Sequence, residues 1–147
     1  MRVYRTMRKF LLSCVFAAGA LLAAMPASAE VIATIDLAAQ KMTVKLDGVA
    51  VHEWPISSGR GSYRTPTGTF KPQSIRVRHF SSLFNNAPMP YSIFFHGHYA
   101  VHGTTDIKNL GRPASHGCVR LHPANARVLF ELIQKQGPAN AQIVVTG

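Results

Sequence analysis

A cysteine stands between a histidine and an arginine in the run Ser115-His116-Gly117-Cys118-Val119-Arg120-Leu121. A thiol attacks as its thiolate, and a free cysteine titrates at about 8.5, so a nucleophilic cysteine needs a base or a cation beside it. His116, Arg120, His122 and the upstream His102 are all available. Gly117 permits close approach of the main chain, and the N–H groups of such a turn can converge on an oxyanion. His102 is the best-placed base. A histidine two residues from the cysteine on an extended chain carries its ring alongside the thiol, whereas one at the end of a neighbouring strand can point across at it. The 16 positions from His102 to Cys118 are enough to fold that neighbour back. Gly103 frees the backbone to turn, and a main-chain carbonyl there can hold the second ring nitrogen and set the tautomer.

Zinc is the competing use of these side chains, since His96, His98, His102, His116 and Cys118 all carry ligand atoms. Strong zinc patterns pair cysteines or set two histidines one helical turn apart. His98 and His102 are four apart, but on a strand rising about 3.3 Å per residue their Cα atoms would lie about 13 Å from each other. No metal and no cofactor are therefore expected. His52, His79, His96, His98 and His122 read as surface or supporting histidines.

The elements that must position this chemistry are mostly strands. VIATIDL, KMTVKLDG and VAVHEWPI, between Val31 and Ile56, read as a β-meander, with Asp47-Gly48 as a tight hairpin turn. SSGRGSYRTPTGTF, residues 57–70, reads as a long irregular loop, and 71–90 as weak strand plus loop. Tyr91 to His102 reads as one strand, with Tyr91, Ile93, Phe95, Tyr99 and Val101 on one face. Ser92, Phe94, His96, His98, Ala100 and His102 fall on the other, more polar face. Asn109 to Ser115 is a loop. Pro123 suits a first helical turn, Val128, Leu129, Leu132 and Ile133 recur at helical spacing, and Gly137-Pro138 ends a helix of about three turns. AQIVVTG closes the chain as a strand. The expected fold is mainly β: two sheets face to face with one helix against one side.

The first 29 residues combine a basic segment, an apolar stretch of about 15 residues and Ala27-Ser28-Ala29, the pattern of a secretory signal peptide cleaved after Ala29. The apolar stretch is short for a membrane anchor, which wants about 20 residues. A lipoprotein reading through Cys14 leaves almost no apolar segment ahead of that cysteine. Cleavage leaves one domain, residues 30–147, with Cys118 as its sole thiol, so no intramolecular disulfide can form. It also removes Arg2, Arg5, Arg8 and Lys9, lowering the balance from 16 basic and 6 acidic side chains to 12 and 6. Export makes an anionic envelope polymer or a membrane surface a better match for that charge than nucleic acid, and the excess also serves solubility.

Taken together, His102-Gly103-Thr104, Leu110-Gly111 and the seven residues around Cys118 resemble the signature of the L,D-transpeptidase catalytic domain, the YkuD domain. Thr65-Pro66-Thr67-Gly68-Thr69-Phe70 is similar to that family's TPTG loop, and Met89-Pro90-Tyr91 to the segment before its histidine strand. The likeness runs from about Val31 to Val145. It implies a β-sandwich enzyme of the bacterial cell wall, working in the periplasm on peptidoglycan stem peptides and not inserted in the membrane once the signal is removed. The resemblance makes Cys118 the nucleophile, His102 the general acid/base and the Gly103 carbonyl its orienter. The Gly117 and Cys118 amides would face the oxyanion, and His116 and Arg120 would line the site, with Arg120 on a substrate carboxylate. Ser115 and Thr104 join the substrate-binding set. The thioester formed with loss of D-alanine would pass to an amine of a second stem or of an envelope protein. Hydrolysis to an L,D-carboxypeptidase or endopeptidase outcome and a non-catalytic wall-binding domain are the alternatives.

Overall fold

A computed structural model describes residues 27–147. The expected signal peptide lies outside the described residues except for 27–29.

The chain opens with β1 (Val31–Asp36), β2 (Lys41–Leu46) and β3 (Val49–Pro55), the antiparallel meander legible in the sequence. Asp47 and Gly48 both take positive φ, 47° and 80°, as a tight hairpin turn requires. Alternation then decides what is buried: Val31, Ala33 and Ile35 of β1 and Met42 and Val44 of β2 face the core, fully enclosed. The closing strand β9 (Ala141–Thr146) lies parallel to β1 and carries Ala141, Ile143 and Val145 onto the same face. Its other neighbour is the short β4 (Gly68–Phe70), which completes a five-stranded sheet in the order β3-β2-β1-β9-β4. Residues 68–70 thus belong to a strand rather than to the expected loop, because the free edge of β9 offers them a ladder to join.

The second sheet has the order β5-β6-β7-β8, from β5 (Ser74–Arg76), β6 (Ser92–His96), β7 (Tyr99–Gly103) and β8 (Val119–Leu121). Here the expectation of one strand from Tyr91 to His102 is corrected: the segment is a hairpin. His96 pairs with Tyr99, and Gly97, at φ 56°, takes the first turn position between them. The turn brings His96 back against Tyr99, while from His98 the chain still runs on to His102 along one strand, β7.

The two sheets enclose one core of Ile93, Phe95, Val101, Val119 and Leu121 against β1, β2 and β9. Helix α1 (Pro123–Gln136) packs on β6 and β7 and reaches β1. Pro123 occupies its first turn and His122 caps it, Nδ1 accepting from the Ala124 N–H at 3.1 Å. It runs 14 residues, one turn longer than expected, and buries Ala126, Leu129, Phe130 and Ile133, whereas Val128 is exposed.

Between β3 and β4 the chain runs beside the cysteine loop. Ser57 and Arg120 exchange backbone hydrogen bonds at 3.0 and 2.8 Å, and Ser115 N–H donates to the Ser58 carbonyl at 3.0 Å. Gly59 sits where a Cβ would lie 1.6 Å from the Tyr63 carbonyl oxygen. Gly59→Ala should therefore force the backbone apart and cost more than about 2 kcal/mol, read as a lowered urea midpoint with an unchanged slope.

Candidate active site

Parallel pairing of β7 with β8 sets Val101 opposite Val119 and His102 opposite Arg120. Side chains alternate along each strand, so Val101, Val119 and Leu121 turn to the core while His102, Cys118 and Arg120 turn the other way. All three line one cavity of about 460 Å³, to which residues 81–84 and 87–89 also contribute. Thr104, Ser115 and His116 line it too.

His102 is 6% exposed. Its Nδ1 lies 2.7 Å from the Gly103 carbonyl oxygen, which can only accept, so Nδ1 carries the proton and donates. Nε2 is left as the lone-pair nitrogen and has no protein partner among the described residues. Burial lowers the ring's pKa from 6.5 to about 4; the Gly103 carbonyl opposes this, and Arg120 and His79 add to it. The imidazole is neutral at pH 7 and free to take a proton.

Cys118 is half-buried immediately before β8. Its Sγ donates to the His98 carbonyl at 3.7 Å, and the Ala100 N–H also points at it. Burial raises the thiol's pKa, partly offset by the Ala100 N–H and by Arg120. The resting pair is therefore thiol plus neutral imidazole, and the thiol's hydrogen bonds run to the backbone of the β6–β7 hairpin rather than to His102.

The loop ahead of the cysteine is braced from inside. Ser115, buried, donates from Oγ to the Cys118 carbonyl at 2.5 Å and accepts the Gly117 N–H at 3.0 Å. This corrects the role expected of Gly117: its amide is committed to Ser115 and does not face an oxyanion, whereas the Cys118 amide makes none of these loop bonds. Ser115 likewise spends its hydroxyl on the loop. Gly117 is needed for another reason, since its φ is 120° and a Cβ there would stand 2.6 Å from the Tyr99 ring.

His116 stacks on Phe84, centroids 4.3 Å apart and planes 7° from parallel, and meets Tyr63 edge-on at 4.8 Å. Partial burial, Arg60 and Arg120 lower its pKa. His98, stacked on Tyr99, and His79, edge-on to Phe94, also line the cavity, whereas His96 and His52 lie against Phe70 and Trp54 away from it.

Two residues escaped the sequence reading. Thr65, buried, accepts the Gly59 N–H at 3.0 Å and donates to the Gly117 carbonyl at 2.8 Å, bolting the TPTG segment to the cysteine loop. The TPTG motif was the available signal. Asp106 lines the cavity, lies 3.6 Å from Arg120 Nη1 and accepts both Asn109 Nδ2 contacts, at 2.8 and 2.7 Å. Nothing local in Thr-Thr-Asp marked it. Thr104 Oγ1 accepts the Asp106 N–H at 3.1 Å and so helps to shape that corner.

A histidine whose folded pKa is depressed loses stability as pH falls. The unfolded chain binds the proton first, so the penalty is absent above pH 6.5, grows from there down to about 4, and reaches about 3 kcal/mol. NMR titration should place the His102 midpoint near 4, and the decline in Tm between pH 6.5 and 4 should be shallower in His102→Gln. A midpoint near 6.5 would contradict the burial argument.

The YkuD family profile, described as the L,D-transpeptidase catalytic domain, matches residues 30–145. The YkuD protein of Bacillus subtilis (strain 168) is 26% identical over 103 residues, 67% of this chain and 58% of that protein. An L,D-transpeptidase from Mycobacterium smegmatis superposes with a TM-score of 0.72 at 24% identity, over 81% of this chain and 59% of the other. LdtMt1 in complex with imipenem gives a TM-score of 0.70 at 24% identity, over 80% and 59%. The chain thus spans less than two thirds of the length of each of these relatives. The structural likenesses give the same two-sheet fold, and the profile match takes in both sheets, the helix and the cysteine loop: the chain belongs to the YkuD family of L,D-transpeptidase catalytic domains.

Proposed function

We propose that this chain is a cysteine-dependent L,D-transpeptidase acting on peptidoglycan stem peptides. The observation that carries the reading is the shared face of β7 and β8, from which a thiol and a neutral, Nδ1-anchored imidazole open into one cavity. In the first step Nε2 of His102 takes the Cys118 proton as Sγ bonds to the carbonyl carbon of the L-centre before the terminal D-alanine. The oxyanion collapses, the C–N bond breaks, and His102 returns the proton to the departing D-alanine amine. A thioester remains. An acceptor amine then attacks, gives its proton to His102 and displaces the thiolate, which recovers a proton from the ring. The Cys118 amide is the available oxyanion donor. A second stem or an envelope protein supplies the amine.

Residues 1–29, with their basic, apolar and small-residue segments, support export to the periplasm or cell wall as the place of work. Among the described residues no helix is long and apolar enough to cross a membrane.

The test is incubation of the mature protein with disaccharide-tetrapeptide and product analysis by mass spectrometry. A cross-linked dimer with free D-alanine is expected; a tripeptide alone would make the enzyme a carboxypeptidase, and unchanged substrate would refute catalysis. Cys118→Ala should abolish turnover. His102→Ala should lower kcat about 10³-fold, the loss typical of a removed general base; full turnover would transfer that role to another residue.

A further inference from the structure

The chain between β5 and β6 doubles back on itself and carries apolar side chains into solvent. Of the nine large hydrophobic residues exposed among the described residues, four fall in eight positions: Val77, Phe80, Leu83 and Phe84. Phe80 is 53% exposed and Leu83 60%. Backbone bonds hold them there: Tyr91 N–H donates to the Val77 carbonyl at 2.9 Å, Met89 N–H to His79 at 2.8 Å and Ser81 N–H to Ala87 at 2.9 Å. At the tip Ser81 Oγ accepts the N–H groups of Leu83 and Phe84, at 3.3 and 3.0 Å. His79 turns into the cavity, whereas Arg76, Val77, Arg78 and Phe80 do not line it. Exposed Tyr63 extends the patch, meeting Phe84 edge-on at 6.5 Å. A fixed cluster of this kind on a surface marks a place of contact.

Charge in this part of the chain has one sign. From Trp54 to Thr105 the sequence holds Arg60, Arg64, Lys71, Arg76 and Arg78 and no aspartate or glutamate. All five are exposed, and none is in an ion pair among the described residues. Arg76 and Arg78 stand at the root of the hairpin, and Arg60 and Arg64 flank Tyr63, whose N–H donates to the Arg60 carbonyl at 3.0 Å. A soluble polyanion would pair with the arginines and leave Phe80 and Leu83 in water. A second copy in a two-fold pair would set like charges against each other. An anionic bilayer satisfies both features, apolar side chains entering at headgroup level while guanidinium groups pair with phosphate. We infer that the face carrying Tyr63, Arg76, Val77, Arg78 and Phe80 docks on a membrane surface of anionic phospholipid, peripherally and without crossing it. Because residues 81–84 also contribute to the cavity, docking holds the cavity beside the lipid. It does not depend on the reaction proposed above.

Residues 30–147 hold both sheets and the helix and lack the apolar N-terminal stretch, so their cosedimentation with sucrose-loaded vesicles is the test. Two compositions are compared: phosphatidylcholine alone, and equal parts of phosphatidylcholine and phosphatidylglycerol. Binding to the mixed vesicles should be at least about tenfold tighter than to the neutral ones and should weaken with salt. Arg76→Gln combined with Arg78→Gln should weaken it about 25-fold, at about fivefold for each arginine. Phe80→Ser should weaken it about tenfold, and Tm should hold in both variants because these side chains are exposed. In Phe80→Trp the emission should move to the blue on mixed vesicles; Trp54, the one native tryptophan, lies on β3 in the other sheet and supplies the blank. Binding that the arginine variant loses and Phe80→Ser keeps would make the patch a polyanion site and overturn the inference. So would equal binding to both vesicles, binding to neither, or a Phe80→Trp emission that does not move.

Discussion

Everything in the site hangs on the parallel register of β7 and β8. With His102 opposite Arg120, the residue before β8, Cys118, falls diagonally from His102 on the same face. A slip of one residue would turn the thiol and the arginine into the core and bring Val119 and Leu121 out to the cavity. The enclosed Val101, Val119 and Leu121 oppose that slip through the hydrophobic cost of exposing them, about 1.5–3 kcal/mol per large side chain. Packing of the core thus specifies the geometry of the chemistry, although none of the core side chains takes part in it.

A parallel pair needs a crossover, and the crossover here is the loop from Thr104 to Gly117. Its conformation is secured from three sides: Ser57 and Ser58 from the chain leaving β3, Thr65 from the segment entering β4, and Ser115 from within. The turn that presents the cysteine is therefore stapled to both sheets. Gln40 extends the same system outward, bonding Ser58 through Nε2 and Oε1. Each of these bonds satisfies a polar group that burial would otherwise leave unpaired, and among the described residues no side-chain polar atom fully shut off from the surface lacks a partner.

Local chemistry made part of this legible. The Asp47-Gly48 turn, the alternation in β1, β2 and β9 and the proline at the helix start are each written in a few adjacent residues, and each appears where those residues place it. The histidine and the cysteine were also visible as reactive types at an interval that permits approach, and the structure brings both into one cavity. What stayed hidden depends on contacts distant in sequence. Tyr91 to His102 reads as one strand because the pairing that breaks it, His96 with Tyr99, exists only once the hairpin closes. β4 is too short to announce itself and forms because β9 lies beside it. The Gly117 amide was available on paper and is consumed by Ser115, while Asp106 gains significance only from Arg120 fourteen positions on.

The half-buried, proton-bearing sulfur just ahead of β8 has a chemical consequence of its own. Peroxides and alkylating agents react with the anion far faster than with the protonated form, so a thiol held neutral by its surroundings is slow to enter the oxidation ladder that ends in sulfinic and sulfonic acids. The same feature that sets the thiol's resting state thus gives Cys118 chemical durability.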